Sequence, residues 1–384
     1  MRLAIAWIVV ALLVAAALLS VVPPATMLQV ELAVLTLEES PLFLVATLLA
    51  VPLVAVLVPR RTPHLATMVV LLAASALVDM RPFLSAQRVI ASGLPRYSAR
   101  RALFGDASRE SLDERRVPYA AADSSPLELL LFRAAGVEDR RPTMIVVYGG
   151  AWRGGSPVQA IDVSRYFARR GYVVVAVDYR HAPQHPFPAQ IDDVRRSLVL
   201  VRDSAAAWDI DTARVAIVGR SAGGHLALLA AYAPRDPRIA AAEPLTARAV
   251  VAYYAPFDLA EAYDDLPSPD PIDVRHVLRD LIGGSPSELP LRYREASPSS
   301  EVRSGLPRTL LVYAGRDHLV LAKFGREASA ELRNAADNVA YVELPWAEHG
   351  FDLLPNGMGS QIALAILDRF LATALTESPS RSAR

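Results

Sequence analysis

Cysteine is absent from this 384-residue chain. That excludes disulfide scaffolds, cysteine zinc sites, iron–sulfur clusters and a thiol nucleophile. Lysine is almost absent, Lys323 being the only one among 40 basic residues. Net charge is absent as well, with 40 Lys+Arg against 40 Asp+Glu, so a broadly basic nucleic-acid-binding surface is excluded. The low hydrophobicity that marks disorder is also missing, since 53% of residues are hydrophobic and mean hydropathy is +0.26. The length suggests two or three domains.

The apolar residues are unevenly spread. Residues 1–80 carry only seven charges: Arg2, Glu31, Glu38, Glu39, Arg60, Arg61 and Asp79. Residues 3–22 form an uncharged run of 20. As a helix such a run spans about 30 Å, the thickness of the hydrocarbon layer. Residues 42–58 form a second run, interrupted by Pro52, and 65–78 a third run of 14, short for a span. A cleaved signal peptide would explain the first run alone, and Val21-Val22-Pro23-Pro24 is a poor cleavage site. Two or three transmembrane helices are therefore expected in 1–80, with a lipid bilayer as partner.

Arg2 places the start inside, the Glu-containing 23–40 loop can lie outside, and Arg60 and Arg61 mark an inside turn. Three spans then put the remainder of the chain on the exterior side, the preferred arrangement, although Arg81, Arg88, Arg96, Arg100 and Arg101 pull the other way. Residues 81–114 read as an amphipathic connector in which Phe83, Leu84, Val89, Ile90, Leu94, Leu103 and Phe104 alternate with arginines. It suits either the membrane interface or packing on the next domain.

From about Val117 strands and helices alternate. Short, largely apolar runs at 127–132, 143–147, 172–177, 215–218, 247–254, 309–313 and 339–344 read as strands. Helical spacing fills 159–170, 188–208, 222–233, 323–336 and 361–375. This order implies an α/β fold with a mostly parallel sheet and helices on both faces, whose chemistry lies beyond the carboxyl ends of the strands. Residues 256–307 break the rhythm with eight prolines and read as a cap-like insertion. Residues 376–384 form a polar tail.

Gly219-Arg220-Ser221-Ala222-Gly223 fits G-x-S-x-G between a strand and a helix. A serine on so sharp a turn needs small neighbours, and the turn exposes its hydroxyl while placing the Ala222 N–H at a helix N-terminus. A serine nucleophile needs a base. His349, in the loop after the last strand, is the candidate, with His318 as rival; His181, His185 and His225 read as structural, His276 as an exposed cap residue, and Glu348 as solvent-facing. The base needs a carboxylate partner. Asp317, after the strand at 309–313, is the candidate, and Asp258 competes. Gly149 and Gly150, after the strand at 143–147, together with Ala222, could supply N–H donors to an oxyanion.

Tyr-Gly-Gly-Ala-Trp (148–152), Val-Asp-Tyr-Arg (177–180), His-Pro-Phe-Pro-Ala (185–189), Gly-Arg-Ser-Ala-Gly-Gly (219–224), Ala-Gly-Arg-Asp-His-Leu-Val (314–320) and Glu-His-Gly-Phe (348–351) resemble an α/β-hydrolase. The chain is similar to the hormone-sensitive-lipase-like and feruloyl-esterase-like carboxylesterases over roughly 115–375. The resemblance implies an eight-stranded, mostly parallel sheet and hydrolysis of small-molecule or lipid esters through an acyl-enzyme, with no metal and no cofactor. It maps the nucleophile, acid and base onto Ser221, Asp317 and His349, and the oxyanion glycines onto Gly149 and Gly150. Tyr148 stands where the family usually has histidine. Amidases and peptidases of the same fold, or a catalytically dead scaffold, are the alternatives. All these residues lie between Gly149 and His349, so the apolar front end is expected to be an independent unit that does not reach the site.

Overall fold

The computed structural model describes residues 1–60, 62–90, 97–104, 111–136, 139–233, 245–335 and 338–376. Arg61, Leu94, Arg96, the rest of 91–96, residues 105–110 and the tail from 377 lie outside the described residues. The uncharged runs fold as helices: α1 (Arg2–Leu19), α3 (Ser40–Leu57) and α4 (Pro63–Ile90), with the shorter α2 (Met27–Glu38) joining the first two and α5 (Ala99–Phe104) following. α1, α3 and α4 are long and apolar enough to cross a membrane. They pack on one another through Ala6, Val10, Ala50, Val54, Met68 and Leu72, while Ile8, Leu12, Leu49, Val56, Val70 and Leu77 face outward. An apolar outer surface around an apolar seam suits a lipid solvent.

The third helix is 28 residues long, twice the uncharged run that marks it, so Asp79, Arg81 and Arg88 are helical. Its last turns leave the helix bundle and enter the second core: Ala86 and Ile90 are buried among strand residues, with Phe83 and Val89 packed beside them. The part of the connector up to Ile90 therefore packs on the following domain.

That domain is a sheet of eight strands: β1 (Leu112–Ala120), β2 (Pro126–Ala134), β3 (Arg141–Val147), β4 (Val173–Val177), β5 (Ile210–Arg220), β6 (Ala249–Tyr253), β7 (Arg308–Ala314) and β8 (Val339–Leu344), in the spatial order β1-β2-β4-β3-β5-β6-β7-β8. β1 and β2 pair antiparallel, β2 runs antiparallel to β4, and the remaining pairs are parallel. β1 starts inside the stretch assigned to the connector, because its charged, half-exposed sequence Leu-Asp-Glu-Arg-Arg-Val-Pro-Tyr-Ala carries no apolar run. An edge strand needs only one buried face, and its charges guard the free edge.

The helices of this domain are α6 (Ile161–Arg169), α7 (Ala189–Asp203), α8 (Ala222–Tyr232), α9 (Leu259–Asp264), α10 (Val274–Ile282), α11 (Pro290–Ala296), α12 (Ala322–Ala335) and α13 (Met358–Thr376). α9, α10 and α11 make up the proline-rich insertion. α13 is apolar enough to resemble a span, but Ile362, Ala363, Leu367 and Leu371 bury it in the domain core.

Candidate active site

The site forms where β5 ends and α8 begins. Ser221 sits on that turn at φ 51° and ψ −123°, a strained conformation for any residue with a Cβ. The turn is possible because the backbone is crowded by glycines. A Cβ on Gly219 would strike the Gly223 carbonyl, and one on Gly223 would strike the carbonyls of Val147 and Tyr148. The Ser221 N–H donates to the Tyr253 carbonyl at 2.9 Å, which fixes the turn against the end of β6.

His349 and Asp317 reach the same point from two other strand ends. His349 Nε2 lies 3.0 Å from Ser221 Oγ, and Nδ1 lies 2.8 Å from Asp317 Oδ2. An ionised carboxylate only accepts, so Nδ1 carries the proton and Nε2 is free to accept from the serine hydroxyl. The other oxygen of Asp317 accepts from the Leu319 and Val320 amides at 2.8 and 2.7 Å, which holds the acid in its turn after β7. Burial pulls the His349 pKa down, but the adjacent Asp317 carboxylate outweighs it and leaves the imidazole above the ordinary histidine value. The Tyr254 ring packs 4.4 Å from the imidazole and its hydroxyl donates to Asp352, which also pairs with Arg220 beside the serine.

The rival assignments find other places. Asp258 caps α9, accepting from the Ala260 and Glu261 amides at 2.9 and 3.0 Å and from Ser299 at 2.7 Å. His225 is structural: Trp152 Nε1–H donates to its Nδ1 at 3.2 Å, its Nε2–H donates to the Ala296 carbonyl at 2.6 Å, and burial holds its pKa down at about 4. His181 bonds the Tyr148 hydroxyl at 2.9 Å, and His276 is exposed beside Asp280.

Glu348 is a correction. Far from facing solvent, it is 1% exposed on its side chain and ties the acid loop to the base loop. It accepts from the His318 and His349 amides at 2.8 and 2.9 Å and pairs with His318 Nδ1 at 2.6 Å. That bond to Glu348 raises the His318 pKa and gives its ring a partner other than the serine. A glutamate beside a loop histidine carries no sign in the sequence that it will be buried.

The donors to an oxyanion also need revision. The Gly149 N–H donates to Gln159 Oε1 at 3.0 Å, so that amide is engaged. Gly149 is glycine because a Cβ there would come within 2.9 Å of the Arg220 carbonyl oxygen. No described residue accepts from the Gly150, Ala151 or Ala222 amides, and Gly150 and Ala151 line the cavity at the serine. Ala222 opens α8, where helix geometry leaves its N–H without an internal partner. Tyr148, in the place of a histidine, holds this loop from below: its hydroxyl donates to Asp178 at 2.6 Å and its ring stacks on Tyr179 at 4.4 Å.

A cavity of about 360 Å³ opens at Ser221 and His349. Ile272, Val274, Val277, Leu278, Val320 and Phe324 make it apolar, and the insertion supplies four of these. Met27 and Glu31 of α2 complete its wall. This overturns the expectation that nothing before the connector reaches the site. The chain just before α2 and the end of α2 are both tied to the sheet domain. Arg316, next to the acid, donates to the Ser20 and Val21 carbonyls at the end of α1. Glu38 is buried and accepts from the Gly359 and Ser360 amides at the start of α13, where Gly357 and Gly359 leave it room. Burial pushes the Glu38 pKa up to about 8 against the opposing pull of those amides. A second cavity, of about 480 Å³, lies beside Arg169 and Arg170 and does not include the serine. No group of metal-binding side chains occurs among the described residues.

A serine on a strand-to-helix turn, bonded to a histidine and through it to an aspartate, at the carboxyl edge of this sheet, defines an α/β-hydrolase fold. Residues 129–332 match the BD-FAE family model, more than half of the chain, and the chain belongs to that family. It is 32% identical over 237 residues to the probable carboxylic ester hydrolase LipM of Mycobacterium tuberculosis, a match covering 60% of this chain and 54% of LipM. It is 32% identical over 267 residues to esterase LipC of the same organism, covering 67% of this chain and 64% of LipC. The chain thus spans between about half and two thirds of the length of these two relatives. Among solved structures it is similar to propionate-bound esterase 2 of the planctomycete Thermogutta terrifontis, with a TM-score of 0.58 and 26% identity over 69% of this chain and 96% of the other. The same esterase phosphonylated by sarin gives a TM-score of 0.59 over 69% and 97%.

Proposed function

We propose that this chain is a membrane-anchored serine carboxylesterase that works through an acyl-enzyme. The observation that carries this reading is the chain of bonds from Ser221 through His349 to Asp317 at the mouth of an apolar cavity. His349 Nε2 takes the Ser221 proton as Oγ attacks the ester carbonyl. The carbonyl oxygen turns toward the Gly150, Ala151 and Ala222 amides, which need not reorganise to meet its charge. His349 then protonates the departing alcohol, and the same steps with water release the acid. Asp317 holds the imidazole tautomer and stabilises its charged form.

Three helices of spanning length support anchoring. The end of α1, Met27, Glu31 and Glu38 of α2 and the end of α4 all touch the hydrolase domain. Three crossings with these ends on one side place the first residue opposite the domain. With Arg2 and Arg60 inside, the domain lies on the exterior face. Hydrolysis of a graded series of acyl esters and the matching amides by the purified full chain tests the reaction class: esters should be cleaved, and cleavage of amides alone would overturn the ester reading.

A further inference from the structure

We propose that the cavity is loaded from the bilayer, so that the substrate is an ester whose acyl chain lies in the leaflet beneath the domain and enters past α2. The proposal rests on the anchored-esterase reading above. Three observations carry it. First, Arg316 binds the carbonyls that end α1, so the catalytic acid at 317 is one residue from a contact with the end of a span. Second, the cavity wall includes Met27, only eight residues beyond the end of that span at Leu19. Third, the segment from span to cavity exposes apolar side chains, with Thr26, Gln29 and Glu31 as its exposed polar members. Val22 is 55% exposed, Leu28 64%, Met27 40%, and Leu353, which shares the cavity rim, 47%.

In water such a strip is costly, because every exposed apolar side chain keeps its hydration. Against acyl chains it costs nothing and continues the lipid surface into the apolar cavity. Glu38 ties the end of α2 to the start of α13, and Arg316 ties the chain just before α2, so both ends of this wall are held to the sheet domain. An acyl chain can therefore slide from the leaflet to the serine without crossing water.

The full chain is reconstituted in phospholipid vesicles with a long-chain chromogenic ester, either in the same vesicles or in separate ones at equal total amounts, and a water-soluble short ester serves as reference. Hydrolysis of the long-chain ester should be at least about tenfold faster in the shared vesicles, because co-residence raises its effective concentration. Equal rates would overturn bilayer loading while leaving the esterase reading intact. Failure to cleave the short ester as well would overturn the esterase reading and the loading route with it. A second arm replaces Val22 and Leu28 by glutamate. The shared-vesicle rate should fall about tenfold while the soluble ester stays within about twofold. No loss, or equal loss on both esters, would overturn the route.

Discussion

Glu348 gives a sharp test of how the loops that carry Asp317 and His349 are held. It is buried, and its two oxygens accept from the His318 amide at 2.8 Å, the His349 amide at 2.9 Å and the His318 ring at 2.6 Å. Glu348→Ala strands three donors in a buried place, and each unmet donor costs about 1–3 kcal/mol. The folded loops can recover part of that by shifting, which moves His349 away from Ser221. We expect about 2–4 kcal/mol in the activation barrier, or roughly 30- to 1000-fold in kcat. KM should change little, because Glu348 does not line the cavity. Glu348→Gln keeps an oxygen for the two amides and should recover most of the loss. The assay is steady-state hydrolysis of a soluble ester by the full chain, with the fluorophosphonate labelling rate measured in parallel. A Glu348→Ala enzyme with kcat and labelling rate within about twofold of the parent would refute this positioning role.

Further outcomes follow from the same geometry. His349 must be neutral to accept a proton, so kcat/KM should rise with pH and level off; because Asp317 holds its pKa up, the inflection should fall above the ordinary value of about 6.5, and an inflection below it would contradict the pairing. Asp317→Asn should cost about 10⁴ in kcat, while Asp258→Asn keeps an oxygen for the cap of α9 and should leave kcat and stability near the parent values, and Asp258→Ala should cost about 1 kcal/mol of stability with kcat unchanged; kinetics and thermal melts separate them. A chain beginning at Tyr97 loses Met27 from the cavity wall, Glu38 from the start of α13 and Ala86 and Ile90 from the core. It should aggregate or lose activity on soluble and lipid esters alike, and a monodisperse fragment of normal activity would show that these contacts are dispensable.

Much of this was legible in the residues, for physical reasons. β3, β4, β6 and β7 are almost wholly buried apolar runs, and buried parallel strands leave that mark on a sequence. Ser221 was legible because a strained turn demands glycines at fixed offsets. Asp317 and His349 were legible because each follows a strand at the edge where such sites form. What escaped lay in tertiary contacts without a local pattern. β1 hides because one face of an edge strand is wet. Glu348 becomes buried only when two distant loops meet over it. Gly149 looks like a donor until Gln159, ten residues on, is seen to occupy its amide. The joining of the apolar helices to the sheet domain rests on Arg316 and Glu38, whose bonds span 296 and 321 residues of chain. The notion of two independent units fails on them.

The central claim is that Ser221, activated by His349, is the nucleophile. It is tested most directly by treating the full chain with a fluorophosphonate and locating the adduct by peptide mass spectrometry, alongside ester hydrolysis by Ser221→Ala. The account predicts one stoichiometric adduct on Ser221, and a variant that takes up no label and loses several orders of magnitude in kcat. An adduct on another residue, or a Ser221→Ala chain that keeps more than about a tenth of the parent activity, would contradict it.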